Sequence, residues 1–178
     1  LEYRVGAPAT CVLGSTGLGC CRSYDIPNHV HYNRSRIWGE YTCDAPQSLL
    51  EGVLSWISDY HREHPVDVVL YGGDTVGHHD ISQSTTKNIE TIQTVNRLFQ
   101  EYLPDVSVVS NQGNHDTYPI DQTPPWNRAT IQSQLLKGWN KLIVEPDIAN
   151  MSQPYYTWRS PEKNPLLDVV SVESLEYD

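Results

Sequence analysis

Val106-Ser107-Val108-Val109, followed shortly by Gly113-Asn114-His115-Asp116, is the stretch that decides the fold. Forty residues earlier the chain repeats the build, with Val68-Val69-Leu70-Tyr71 leading into Gly72-Gly73-Asp74. Each apolar run reads as a strand. Each glycine lets the strand end turn sharply and brings backbone close to a bound group. Each turn then presents a side chain suited to a metal ion or a proton: the Asp74 carboxylate, the Asn114 amide and the His115 imidazole.

Helical periodicity surrounds these strands. Asp44, with Gln47 three positions on, predicts a capping box. Leu49, Leu50, Val53, Leu54, Ile57 and Tyr60 then recur on one helical face that needs a partner, and His64-Pro65 ends the helix. The strand from Val66 to Tyr71 is apolar in its second half, which predicts burial on both faces. A second helix is predicted from about Lys87 to Tyr102, with Ile89, Ile92, Val95, Phe99 and Tyr102 on one side and Pro104 as its stop. Strand, helix, strand of this length implies a parallel pair with a right-handed crossover. Ligands of such sheets bind at the carboxyl ends of the strands, where Asp74 and Asn114 stand. Beyond a proline-rich loop, Pro119 to Pro125, a third helix is predicted from about Arg128 to Ile143, then a hairpin-type strand at Tyr155 to Trp158 and a strand near Val169.

A length of 178 residues suits one domain with a real core. The formal charge of -10 argues against a nucleic-acid polymer as partner, because phosphate backbones need basic surface. No apolar run approaches the roughly 18–20 residues that span a bilayer. Leu1-Glu2-Tyr3-Arg4 shows neither an initiator methionine nor a signal-peptide pattern, and reads as the interior of a longer precursor. The four cysteines, Cys11, Cys20, Cys21 and Cys43, all lie in the first quarter, without a C-x-x-C pair. Adjacent cysteines rarely bond to each other, which leaves Cys11–Cys20 with Cys21–Cys43, or Cys11–Cys21 with Cys20–Cys43. Such a cluster clamps a loop-rich segment, residues 1–43, and places the chain in an oxidising compartment. The sequons Asn33-Arg34-Ser35 and Asn150-Met151-Ser152 point the same way.

The chemistry these residues suit is hydrolysis of a phosphodiester, whose anionic oxygens repel an incoming hydroxide. Two metal ions about 3.5–4 Å apart neutralise that charge and activate a water between them. Asp74 is the candidate shared ligand, and Asn114 adds an uncharged oxygen. His115 is free to donate a proton to the leaving oxygen. His78 and His79, in Gly73-Asp74-Thr75-Val76-Gly77-His78-His79-Asp80, offer a second acid, with one of the two read as an exposed loop residue.

The G-D and G-N-H-[DE] pair behind neighbouring strands resembles the calcineurin-like metallophosphoesterases. A narrower resemblance joins Cys20-Cys21-Arg22, Trp38-Gly39-Glu40-Tyr41, Cys43-Asp44-Ala45-Pro46, Gly73-Asp74 with His78, and Gly113-Asn114-His115-Asp116. In order and spacing these are similar to the acid sphingomyelinase family. The resemblance implies an α/β chain, a fragment of a four-layer αββα sandwich with a disulfide-clamped N-terminal segment, residues 1–178 forming part of one catalytic domain. It implies disulfides Cys11–Cys20 and Cys21–Cys43, two Zn2+ ions with Asp74 and Asn114 among their ligands, and His78 and His115 as the pair assisting leaving-group departure. The family's Asp-x-His upstream of the Cys20-Cys21-Arg22 block and its downstream Gly-His-x-His are not found at those places in the chain, so the remaining ligands are expected outside it. A sphingolipid or nucleotide-like phosphodiester is the expected substrate, with peripheral membrane contact and a secreted, lysosomal or vacuolar location. A non-catalytic glycoprotein that keeps the fold for binding is the other class.

Overall fold

A computed structural model describes residues 3–9, 20–22, 34–41, 43–78, 83–122, 155–159 and 167–172. It divides into two compact units, one of Leu1–Ile57 with Gly77–Ser82, the other of Ser58–Val76 with Gln83–Asp178. The predicted helix from Arg128 to Ile143, Cys11, His79, Trp126 and both sequon asparagines, Asn33 and Asn150, lie outside the described residues.

The first unit has few regular elements and is held by cross-links between short segments. Cys21 and Cys43 form a disulfide with Cα atoms 5.9 Å apart, one of the two bonds that the resemblance implied. Cys20 is also disulfide-bonded. Isolated bridges join Tyr3 to Arg22, Pro8 to Arg34 and Arg36 to Gly39. Ser35 Oγ donates to Arg4 O at 2.6 Å, and Tyr3 Oη donates to Arg36 O at 2.5 Å. Helix α1, Gln47–Glu63, begins in this unit behind Pro46, whose carbonyl accepts from Leu49 N at 3.1 Å. The predicted capping box does not form. Gln47 Nε2 turns along the helix to Glu51 Oε1 at 2.7 Å, and Asp44 is committed elsewhere, to His78. The apolar stripe of α1 is also wider than the surface it packs against: Leu54 is 1% exposed, whereas Val53 and Tyr60 are each 45% exposed. His61 Nδ1 accepts from Val66 N at 2.9 Å and closes the turn out of α1.

The second unit contains the parallel pair. Strand β1, Val68–Tyr71, pairs with β2, Ser107–Ser110, in the register Val68↔Ser107 to Tyr71↔Ser110. Helix α2, Thr85–Tyr102, connects them and starts at the N-cap Ser84, whose side chain accepts from Lys87 N at 3.3 Å. Ile92, Val95, Leu98 and Phe99 are buried along α2, and the Phe99 ring meets Tyr71 edge-on at 5.1 Å. The helix ends where Leu103 N bonds Phe99 O and Pro104 follows. β2 is buried along its whole length, but β1 is not, contrary to the reading of its apolar run. Leu70 is 67% exposed. β1 pairs only with β2 among the described residues, so its other edge is unpaired among them. The two expected strands form, as β3, Tyr155–Arg159, and β4, Asp168–Val172, and they pair with each other antiparallel. Asn111, just past β2, ties it in by donating Nδ2 to Val172 O at 3.1 Å.

Candidate active site

Two loops leave the carboxyl ends of β1 and β2 and meet at their glycines. Gly73 has φ +82, a left-handed conformation that suits only a residue without a Cβ, and an added Cβ would fall under 3.0 Å from Gly113 N, Asn111 O and Gln112 C. An added Cβ at Gly113 would in turn fall under 3.0 Å from Asp74 N, Oδ1 and Cγ. The two backbones can pass this closely only because neither carries a side chain there.

Asp116 closes the contact. It ends the 3-10 turn Asn114–Asp116 and is 3% exposed. Oδ2 accepts from Gly113 N at 2.9 Å and Asp74 N at 3.0 Å. Oδ1 accepts from Thr75 N at 2.7 Å and Val76 N at 3.2 Å. Four amide donors from two loops thus converge on one carboxylate. Burial pushes the Asp116 carboxyl above the usual carboxylate range, the N–H groups of Gly113, Thr75 and Val76 pull it down, and the charge of Asp74 adds to the rise. Burial likewise raises the Tyr71 phenol, against a 3.0 Å hydrogen bond with Thr75 Oγ1.

This clasp brings together three of the four candidate residues. Asp74 is exposed at the tip of its loop with φ +54, a conformation that aspartate tolerates better than most residues. Its Oδ1 accepts from His115 N at 3.1 Å, which aligns the carboxylate with the second loop. The Asn114 amide is oriented by Asp121: Nδ2 donates to Asp121 Oδ1 at 2.7 Å, which turns Asn114 Oδ1 the other way. Below them, buried Asn88 in the first turn of α2 donates Nδ2 to Thr117 O at 3.0 Å and to Asp116 O at 3.4 Å. His78, the fourth candidate, belongs to the first unit. Its Nδ1 lies 2.7 Å from Asp44 Oδ1, its N–H donates to Asp44 Oδ2 at 2.8 Å, and Arg22 donates to its carbonyl oxygen.

Asp74 and Asn114 fit part of a cation site. A carboxylate and an amide oxygen, set on loops already fixed by Asp116, are hard donors of the kind divalent cations take. Among the described residues no group of three or more His, Cys, Asp or Glu side chains could hold a metal ion by itself. The supporting residues Asp116, Asp121, Asn88 and Asp44 were not assigned to the site from sequence. Two of them had a signal there: Asp116 as the acidic end of the G-N-H-[DE] pattern, and Asp44 within Cys43-Asp44-Ala45-Pro46.

Comparison with known proteins agrees with this architecture. A family model described as calcineurin-like phosphoesterase matches residues 30–172. The chain is 32% identical to the sphingomyelin phosphodiesterase of Bos taurus over 107 residues, 60% of this chain and 17% of that protein. It is 34% identical to the sphingomyelin phosphodiesterase of Homo sapiens over 107 residues, 60% of this chain and 16% of that protein. It is also 25% identical to the cyclic GMP-AMP phosphodiesterase SMPDL3A of Bos taurus over 141 residues, covering 79% of this chain and 31% of that protein. The matched stretch is therefore at most about a third of the length of these relatives.

Proposed function

The chain belongs to the calcineurin-like phosphoesterase family, and from that premise we propose that it supplies part of the active site of a phosphodiesterase acting on sphingomyelin or a related phosphodiester. The observation that carries this reading is the clasp: Asp116 fastens two glycine loops so that Asp74, Asn114 and His115 stand together. The family implies divalent metal ions, and in our reading they are two zinc ions, with Asp74 and Asn114 among the ligands. When bound, such ions neutralise phosphate charge and activate water. Asp74 offers its carboxylate on a loop whose backbone is already spent on Asp116. Asn114 offers its amide oxygen, because its Nδ2 is taken by Asp121. His115 and His78 are the proton donors to the departing oxygen. A phosphomonoester would call for more cationic neutralisation, and the relatives' names, sphingomyelin phosphodiesterase and cyclic GMP-AMP phosphodiesterase, favour a diester.

The disulfide supports a secreted or lysosomal location, and no helix among the described residues is long and apolar enough to cross a membrane. The test is metal content and bis(4-nitrophenyl) phosphate hydrolysis by the intact protein, from acid to neutral pH. About two zinc ions per chain and chelator-sensitive turnover are expected. A metal-free protein without turnover would refute the proposal.

A further inference from the structure

His78 is held at two points by one carboxylate. Asp44, 34 residues away in sequence, accepts the His78 backbone N–H on Oδ2 at 2.8 Å and meets the ring Nδ1 with Oδ1 at 2.7 Å. A single contact to the ring would leave the loop free to pivot; contacts to ring and backbone together fix both the loop and the rotamer. Arg22, 7% exposed, completes the grip by donating to the His78 carbonyl oxygen, with NH2 3.8 Å from Asp44 Oδ2. The Cys21–Cys43 disulfide lies one residue before each of these two side chains, so one covalent bond joins the bases of Arg22 and Asp44. Gly77 makes room for the arrangement: a Cβ there would lie 2.5 Å from Asp44 Oδ2.

We infer that Asp44 and Arg22, stapled together by the Cys21–Cys43 disulfide, are positioning residues that set the orientation and tautomer of His78. This rests on the reading above in which His78 serves the hydrolysis. An ionised carboxylate only accepts, so Nδ1 carries the hydrogen facing Asp44, and proton exchange with substrate runs through Nε2. Asp44 therefore acts on the reaction through the imidazole, not on the substrate.

The experiment uses the intact protein and two diesters that differ in their need for an acid. Bis(4-nitrophenyl) phosphate releases a stable phenolate, whereas an alkyl ester of phosphocholine releases an alkoxide that must be protonated. Asp44→Asn is expected to lower kcat on the alkyl ester about tenfold or more, and to change the nitrophenyl ester much less. His78→Gln should show the same bias, and the double variant should be no slower than His78→Gln alone, the mark of two residues acting as one. Asp44→Glu should restore part of the rate, while Gly77→Ala and the Cys21→Ser/Cys43→Ser pair should reproduce the bias. Equal loss on both esters from Asp44→Asn, or alkyl-ester turnover like wild type beside an impaired His78→Gln, would overturn the positioning role and leave the proposed function intact. A His78→Gln variant matching wild type on both esters would instead remove His78 from the reaction. Should Asp44→Asn fail to fold, 15N spectra of the wild-type protein across pH decide: a hydrogen on Nδ1 in every protonation state, including the imidazolium that donates from Nε2, supports the inference, and a neutral ring protonated on Nε2 alone rejects it.

Discussion

Asp116 reaches the candidate ligands only through their backbone, yet more of the site depends on it than on any ligand. Replacing it with alanine strands the amide groups of Gly113, Asp74, Thr75 and Val76 away from water. The expected cost is about 3 kcal/mol, read from urea unfolding, together with loss of turnover beyond what the lower stability explains. Asn114→Ala and His115→Ala should cut turnover about 100-fold or more with little change in stability; wild-type rates would remove either residue from the mechanism. The candidate residues themselves were legible in sequence because glycine turns after apolar runs are local signals. The supporting roles around them were not. Asp116 acts on backbone groups of a loop 40 residues away, Asp121 on one amide, and Asp44 on a histidine 34 residues on. A carboxylate three positions ahead of a helical stripe reads as a cap from sequence, because nothing local announces a more distant competitor.

Among the elements, α2 and the parallel pair were readable to within about two residues, since α2 has a single apolar side; the Ser84 cap, which starts the helix two residues before the expected Lys87, was not read. Burial was less readable. The runs in α1 and β1 show which side chains are apolar, but what lies over them depends on tertiary neighbours, and Val53 and Leu70 are exposed where Leu54 and Val108 are not. Leu54→Ala should therefore cost about 3 kcal/mol, and Val53→Ala no more than about 0.5 kcal/mol, both measured by denaturant unfolding. In the β3–β4 hairpin, Arg159 donates to Asp168 at 2.6 Å and holds that exposed carboxyl below its ordinary value, through the hydrogen bond first and its charge second. A lowered folded-state pKa means that the stabilisation is present above the unfolded pKa and fades as pH falls through the folded one. The stability difference between wild type and Asp168→Asn should thus be small at neutral pH and vanish in strong acid; a difference that grew on acidification would contradict the pairing.

For the molecule as a whole, family membership was accessible from motif order, and so was the placing of the two glycine loops behind their strands. If Asp74 and Asn114 bind cations, chelation should lower the unfolding temperature of the intact protein, with about 2.7 kcal/mol at stake when free ion stands at 100 times its Kd. A chelator-independent unfolding temperature would count against both ligands. The close passage at Gly73 and Gly113 also bears on how this chain can change over generations. Bulk gained at position 73 strikes Gly113, and bulk gained at 113 strikes Asp74. Neither glycine can drift while the other waits, so a lineage that alters freely in the surrounding loops is expected to inherit these two as one character.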